Sequence, residues 1–185
     1  MNQYGFYIDQ TRCIGCFTCA VACKDWHDID AGPENWMRII INEKGEFPNL
    51  SLSYLAVACN HCADPPCIKV CPTNAITKRD SDGIVLVDQQ KCLGKSECGA
   101  KCLNACPYKA PQFNSEHAKM RKCDLCFERL EQGQQTICVE ACPMYALDVD
   151  TIDQLHKKYG VNTEADGIHY NARIKPSVVY KKRTT

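Results

Sequence analysis

Apolar residues occur along this chain in short runs that turn-forming residues separate. Tyr7–Ile8 and Ile84–Val87 have the length and composition of short strands, and Asp82-Gly83 predicts a turn into the second run. A helical pattern covers Thr151–Tyr159 and ends at Gly160, after which the chain is extended and basic. We therefore predict an α+β fold in which small strands and short helices are joined by many loops.

The longest uninterrupted apolar run, Tyr54–Cys59, has six residues, whereas a helix that spans a bilayer needs about 20. Residues 1–13 contain neither the cationic start nor the apolar stretch of a secretory signal. We therefore expect no membrane span and assembly in the cytoplasm. Because cytoplasmic thiols stay reduced, abundant cysteines in such a protein indicate metal ligands rather than disulfides.

Cysteine accounts for 16 of the 185 residues, a content that by itself indicates a special chemistry. The cysteines fall into four sets of four, and a proline follows the last cysteine of the second, third and fourth sets. In sequence order the sets are Cys13, Cys16, Cys19, Cys23; Cys59, Cys62, Cys67, Cys71; Cys92, Cys98, Cys102, Cys106; and Cys123, Cys126, Cys138, Cys142.

Repeated strings around these sets indicate an internally duplicated architecture. Residues 9–15 read DQTRCIG and residues 88–94 read DQQKCLG, while Cys71–Ile76 matches Cys142–Leu147 in the same way. Each repeat reads as a strand, a cysteine loop, a short helical turn, a Cys-Pro pair and a strand. Since two such units form one small module, the four sets predict two modules.

The spacing within the first set, C-x2-C-x2-C-x3-C, is typical of bacterial two-cluster ferredoxins. In those proteins the fourth cysteine binds the neighbouring cluster, whereas zinc prefers two separated C-x2-C pairs. Iron–sulfur clusters are therefore favoured, with zinc and disulfides as the alternatives. The second set is widened by residues 63–66, and the fourth is interrupted by Phe127–Ile137, in which a helical turn is predicted.

The third set departs twice from the compact spacing. Five residues separate Cys92 from Cys98, and Ser96 and Gly99 stand where the compact motif would place its first two ligands. Four thiols are still available, so we expect a complete 4Fe–4S cluster here as well. The alternative is a three-iron cluster or an altered ligand at this site.

Charge and the remaining polar residues narrow the possible functions. Lys and Arg number 22, as do Asp and Glu, and such a balance disfavours a nucleic-acid partner, which attracts surplus cations. No nucleophile stands beside a base, and no glycine-rich phosphate loop is present, so we predict no catalytic residue.

His61, beside Cys62, is the histidine best placed to influence a cluster. We interpret the lysines near the cysteine sets as solvated charges; alternatively they favour reduced clusters. These lysines are Lys24, Lys78, Lys119 and Lys122.

Several strings carry a family resemblance over about residues 4–150. They are Cys13–Cys16, Val21–Trp26, Cys59–Cys62, Asp64–Cys67, Cys106–Pro111, Lys122–Cys126 and Cys138–Pro143. Together they resemble the iron–sulfur (beta) subunits of the dimethyl sulfoxide reductase family of molybdopterin oxidoreductases. The resemblance implies two ferredoxin-like modules with pseudo-two-fold repeats. One module would comprise residues 1–57 with 108–150, the other residues 58–107, and residues 151–185 would form a tail that wraps a module or contacts a partner.

The resemblance also implies four 4Fe–4S clusters with a nested assignment of ligands, which the spacing alone does not select over pairing between neighbouring sets. The site that includes Cys71 is the one affected by the irregular third set. The implied ligand sets are Cys13, Cys16, Cys19, Cys142; Cys23, Cys123, Cys126, Cys138; Cys59, Cys62, Cys67, Cys106; and Cys71, Cys92, Cys98, Cys102.

By the same resemblance, the protein is a non-catalytic electron-transfer subunit that works with a molybdenum or tungsten bis-pterin catalytic subunit. A quinone-interacting membrane anchor is a further implied partner. The complex would be membrane-associated, on the cytoplasmic side or, after co-export with a partner, on the periplasmic side. A free-standing polyferredoxin and a zinc-binding structural protein are the alternative functions.

Overall fold

The structure is a computed structural model and describes residues 2–113 and 118–183. Its first strand, β1 (Tyr4–Asp9), includes the strand predicted at Tyr7–Ile8. β1 is the central strand of a three-stranded sheet. Strand β8 (Leu147–Thr151) pairs with it antiparallel, and strand β9 (Val178–Lys181) pairs with its other edge in parallel. The predicted extended C-terminal segment therefore completes a sheet with the first strand of the protein.

Both faces of this sheet are covered, because side chains alternate between the two faces of a strand. Phe6 and Ile8 enter the main core, whereas Tyr7 packs with Leu155 and Val179 in a smaller cluster. Leu155 comes from helix α7 (Ile152–Tyr159), which confirms the predicted helix. At its start, the Gln154 N–H donates to Thr151 Oγ1 at 3.4 Å, and the helix ends before Gly160 as expected.

Three antiparallel hairpins complete the strand content of the described residues. The longest pairs β2 (Arg38–Lys44) with β3 (Ser51–Val57) over seven residue pairs, and neither strand was predicted from the sequence. The second pairs β4 (Ile76–Lys78) with β5 (Val85–Val87), which matches the predicted strand after the Asp82-Gly83 turn. The third is a two-residue pairing of β6 (Gln112–Phe113) with β7 (Met120–Arg121).

Six further helices are short and carry or flank the cysteine sets. The predicted turn within the fourth set is one of them, and it begins directly after Cys126. The helices are α1 (Thr18–Trp26), α2 (Pro66–Lys69), α3 (Lys95–Cys98), α4 (Lys101–Ala105), α5 (Phe127–Glu131) and α6 (Ile137–Glu140). Within the described residues, no helix has the length and hydrophobicity needed to cross a bilayer.

The segment before β9 runs along the loop of the second cysteine set. The N–H of Ala63 donates to the Lys175 carbonyl at 2.8 Å, and the N–H of Ser177 donates to the Asn60 carbonyl at 3.0 Å. The Ser177 hydroxyl adds a bond to the His61 carbonyl at 3.0 Å. One continuous stretch of the tail thus binds this loop and then pairs with β1.

Candidate metal centres

Four thiols from the first and last cysteine sets line one pocket, which we call pocket 1. They belong to Cys13, Cys16, Cys19 and Cys142. Apolar side chains from the loop before α1, from β2 and from the segment after α6 form the rest of the lining. No charged side chain from the described parts of the protein lines this pocket. Of the four cysteines only Cys16 is exposed.

A second group of thiols, pocket 2, is buried where α1 packs against α6. Burial and then the neighbouring Cys126 thiolate raise the pKa of Cys23 to about 12. Burial has the largest effect on the pKa of Cys123, and the neighbouring Cys23 raises it further. Burial also raises the pKa of Cys138, and the charges of Cys126 and Cys23 add to this increase. Because these groups influence one another electrostatically, Cys23, Cys123, Cys126 and Cys138 lie close together.

Two more pockets are formed between the second and third cysteine sets. Pocket 3 is lined by Cys59, Cys62, Cys67 and Cys106, with Asn60 and Lys122 as polar neighbours. Pocket 4 is lined by Cys71, Cys92, Cys98 and Cys102. The irregular spacing of the third set therefore still brings three of its thiols to one pocket, because α3 and α4 fill the widened intervals.

Short helices connect the pockets in pairs. Cys19 and Cys23 are four residues apart on α1, about 6 Å along a helix axis, and belong to pockets 1 and 2. Cys67 on α2 lines pocket 3 and Cys102 on α4 lines pocket 4. Cys71 and Cys106, four residues after each and beyond the helix, line the opposite pocket. Pockets 2 and 3 are also neighbours. Burial has the largest effect on the pKa of Cys123, followed by Cys23, Asp124 and then Cys59, a thiol of pocket 3. The four pockets follow one another in the order 1, 2, 3, 4.

The Cys-Pro pairs share one local geometry. The third residue after each of these cysteines has a positive φ, which is 52° at Asn74, 52° at Lys109 and 50° at Tyr145. This left-handed residue turns the following main-chain N–H groups back toward the thiol. The N–H of Ala146 accordingly donates to Cys142 Sγ at 3.3 Å. The corresponding N–H groups of Ala75 and Ala110 act on Cys71 and Cys106, where they counter the effect of burial on the thiol pKa.

Burial is the largest influence on the pKa of most of these thiols, and it raises that pKa. Desolvation raises the pKa of Cys19 and Cys67 to about 12 and that of Cys102 to about 11. Cys16 and Cys71 are exceptions. The Thr18 hydroxyl and N–H lower the pKa of the Cys16 thiol. At Cys71 burial raises the pKa, but hydrogen bonds from the N–H groups of Thr73, Ile76 and Ala75 lower it overall. Thiols that are costly to ionise in isolation become favourable ligands once a cation stabilises the thiolate.

The pockets meet the requirements of iron–sulfur clusters. Within the described residues, pockets 1, 3 and 4 have no carboxylate or imidazole in their lining, so the available ligands are thiols. In pocket 3 the Nδ2 atom of Asn60 is buried without a hydrogen-bond partner in the protein. A buried donor of this kind requires an acceptor, and the inorganic sulfide of a cluster supplies one. The donor set and this orphaned amide both fit a 4Fe–4S cluster.

The structure adds two side chains that the sequence patterns did not select. His27 Nε2 lies 3.4 Å from Cys126 Sγ and 3.7 Å from Asp124 Oδ1, at the edge of pocket 2. Arg38 lies beside Cys106, whose thiolate raises the pKa of the guanidinium against the larger effect of burial. His27 directly follows α1 and comes four residues after Cys23, so helical periodicity could have indicated that the two lie on the same side of the helix. Arg38 had no such signal.

His61, predicted to influence a cluster, is fully buried behind pocket 3. Its Nδ1 accepts a hydrogen bond from the Val85 N–H at 2.9 Å, and its Nε2 has no partner in the protein. Burial and then Lys122 and Lys78 lower the pKa of His61 well below the usual value. The ring is therefore neutral and fixes the second cysteine loop against β5.

Comparison with known families identifies the kind of domain. Residues 50–152 match a family of 4Fe-4S dicluster domains, and residues 12–75 match a second family of the same description. Together the two matches include all four cysteine sets.

Individual relatives extend over nearly the whole protein. The B subunit of the anaerobic dimethyl sulfoxide reductase of Haemophilus influenzae is 42% identical over 98% of this chain and 90% of its own length. The subunit of the same name from Escherichia coli is 43% identical over 97% of this chain and 89% of its own length. The thiosulfate reductase electron transfer subunit of Salmonella typhi is 37% identical over 83% of this chain and 78% of its own length.

Proposed function

Because this protein belongs to the family of dimethyl sulfoxide reductase iron–sulfur subunits, we propose that it carries electrons along four 4Fe–4S clusters to or from a molybdopterin catalytic subunit. The protein is a non-catalytic electron-transfer subunit of an oxidoreductase complex. The observation that carries the proposal is the gathering of all sixteen cysteines into four groups of four.

Each pocket holds one cluster in this proposal. The three four-thiol linings and the mutual charge effects in pocket 2 support the nested assignment rather than pairing between neighbouring sets. The proposed ligands are Cys13, Cys16, Cys19, Cys142 in pocket 1; Cys23, Cys123, Cys126, Cys138 in pocket 2; Cys59, Cys62, Cys67, Cys106 in pocket 3; and Cys71, Cys92, Cys98, Cys102 in pocket 4.

A 4Fe–4S cluster, when bound, accepts or releases one electron at a potential that its surroundings set. The protein supplies those surroundings. Its thiolates hold the iron, and the N–H groups that follow the Cys-Pro pairs point at the sulfurs. Apolar linings exclude water, and helices α1 and α6 keep neighbouring sites about one helical turn apart.

The domain organisation follows from the same assignment. We propose that residues 1–57 with 108–150 form one ferredoxin-like module around pockets 1 and 2, and that residues 58–107 form the other around pockets 3 and 4. The common geometry after Cys71, Cys106 and Cys142 supports a pseudo-two-fold origin of these modules. Residues 151–185 would then be a tail whose described part contacts both modules.

The proposed partners are a molybdenum or tungsten bis-pterin catalytic subunit and a quinone-interacting membrane anchor. Membership of a family whose relatives are subunits of reductases supports the catalytic partner. Within the complex, electrons would pass between the anchor and the pterin. Attachment to either side of the membrane would come from these partners.

Anaerobic purification tests the proposal. We expect brown protein with about sixteen iron and sixteen sulfide ions per molecule and paramagnetic signals on reduction. Colourless, zinc-loaded protein would support the structural alternative and overturn the proposal. Co-purification with a large pterin subunit separates the proposal from a free-standing polyferredoxin.

A matched pair of substitutions on one helix tests the nested ligands. Cys19→Ser and Cys142→Ser should alter the same paramagnetic signal, although their cysteines belong to different sets. Cys23→Ser, one turn away from Cys19 on α1, should alter a different signal. If Cys19→Ser and Cys142→Ser change different signals, or Cys19→Ser and Cys23→Ser change one common signal, the nested assignment is wrong even when the iron content is as expected.

A further inference from the structure

Lys122 lies in the wall of pocket 3 with only 4% of its surface exposed. Its ammonium group donates hydrogen bonds to the main-chain oxygens of Val85 and Cys123, the second at 2.9 Å. No acidic side chain in the described parts of the protein pairs with it. The interpretation of Lys122 as a solvated charge is therefore wrong. An ammonium group buried without a carboxylate is strongly unfavourable unless another anion lies nearby.

Two more cations surround the same pocket, and both bind neutral groups. Lys78 Nζ donates to the Cys62 carbonyl at 2.9 Å and to Gln3 Oε1 at 2.6 Å. Arg38 Nη2 donates to the Tyr108 carbonyl at 2.8 Å, and Arg38 Nε is buried without a partner in the protein. Both side chains are half-buried and, among the described residues, form no ion pair.

These cations lie close enough to the thiols to interact with them. Burial lowers the pKa of Lys78, and the Cys62 thiolate opposes that shift. Burial likewise lowers the pKa of Arg38, and the charge of the Cys106 thiolate opposes that shift. Three positive charges thus converge on pocket 3. The Asp64 carboxylate also raises the pKa of Lys78, but Asp64 is already paired with Lys69 at 2.7 Å. Among residues 2–113 and 118–183, neither Lys122 nor Arg38 has a carboxylate partner.

The neighbouring pocket has the opposite charge environment. Burial has the largest effect on the pKa of Cys23, and the charges of Cys126 and then Asp124 raise it further. Burial also raises the pKa of Cys126; the Ile137 N–H lowers it, and Asp124 again raises it. Asp124 Oδ1 accepts the Cys126 N–H at 2.8 Å, so the carboxylate is fixed beside the site. The nearby cation Arg129 is already paired with Glu140 at 2.6 Å.

Among the described residues, no charged side chain lines pocket 1, and the cation that lines pocket 4, Lys101, is exposed and therefore screened by water. We propose that pocket 3 is the site with the most positive reduction potential of the four, and that Lys122, Lys78 and Arg38 set this order. The inference rests on the proposed function. Reduction adds one electron, supplied by a redox partner, and breaks no bond. The cluster then carries one more negative charge, which uncompensated cations stabilise and Asp124 disfavours at pocket 2. Since pocket 3 is an interior position in the row, the first electron rests inside the protein rather than at either end.

A redox titration of the anaerobically purified holoprotein, with dithionite as reductant and paramagnetic resonance as readout, tests the proposal. Cys106→Ser identifies the signal of pocket 3. In Lys122→Met, the ratio of reduced to oxidised pocket 3 cluster should fall at least tenfold at a fixed solution potential. For a one-electron couple this corresponds to a midpoint potential lower by about 59 mV. Lys122→Arg should keep the original value. Lys119→Gln is the matched control, because its ammonium binds the Gln89 carbonyl away from the pocket.

The result that overturns the inference is a Lys122→Met shift no larger than that of Lys119→Gln, or a pocket 3 signal that is not the first to be reduced. If Lys122→Met does not load iron, Lys78→Gln and Arg38→Gln are judged by the same criterion. Wild-type protein without iron and sulfide would instead refute the proposed function. The two failures are therefore distinguishable.

Discussion

Docking of the C-terminal tail depends on a valine that is completely buried between two other elements. Val179, on β9, has 0% of its surface exposed and packs with Tyr7 and Leu155. We predict that Val179→Ala releases the tail from β1 and, with it, the cover of the second cysteine loop. The matched control is Val161→Ala, since that valine is 71% exposed.

The size of the effect follows from what the substitution removes. Two buried methyl groups contribute about 1.6 kcal/mol, and a residual cavity of about 40 Å³ adds about 1 kcal/mol. A loss of about 2.5 kcal/mol raises the open fraction of the tail roughly 70-fold if the tail opens as a local unit. The control should stay within about 0.5 kcal/mol of wild type.

Amide hydrogen exchange of the holoprotein measures this opening directly. The N–H of Ser177 and the N–H of Ala63 are bonded across the tail and the loop, so both should exchange faster in Val179→Ala. Exposure to air should then destroy the pocket 3 signal faster than the others. Equal exchange in Val179→Ala and Val161→Ala would refute this prediction, as would an unchanged Ala63 amide beside a released tail.

Three further predictions concern the metal centres. Asp124→Asn keeps the acceptor for the Cys126 N–H but removes the negative charge. A redox titration should therefore find the reduction potential of the pocket 2 cluster raised by roughly 40 mV, on the order of 1 kcal/mol. An equal shift in the control Asp153→Asn would contradict this. Because burial raises the pKa of Cys19 to about 12 and of Cys102 to about 11, cluster reconstitution releases protons and should become faster from pH 7 to pH 9; a flat pH profile argues against it. Chelation of the iron should abolish the near-ultraviolet circular dichroism, because buried cysteines form part of both larger core clusters; a native spectrum after chelation would show that the fold does not need the metal.

Local signals in the sequence were sufficient for much of the fold. The strand β5 and the helix α7 are confirmed because a turn or a terminating glycine marks each of them. The hairpin of β2 and β3 was not predicted from the sequence. The parallel pairing of β9 with β1 joins segments about 170 residues apart, and no local pattern specifies such a contact.

The candidate sites show the same division. Spacing identified the thiols and the kind of metal group, because ligand geometry is encoded within a few residues. It did not determine which distant sets share a pocket, since that depends on how the helices pack. The burial of Lys122 and the approach of Arg38 to Cys106 are also tertiary effects. Charge near a site was therefore the least predictable part of its chemistry.

The nesting of the pockets has a consequence for biosynthesis. On the ribosome, a nascent polypeptide emerges from its N-terminus, so each pocket is complete only when its last cysteine has been made. Pocket 4 is complete at Cys102 and pocket 3 at Cys106, whereas pocket 2 waits for Cys138 and pocket 1 for Cys142. Cys13 is thus made well before its last neighbour, and the cell must keep it reduced until Cys142 has been added.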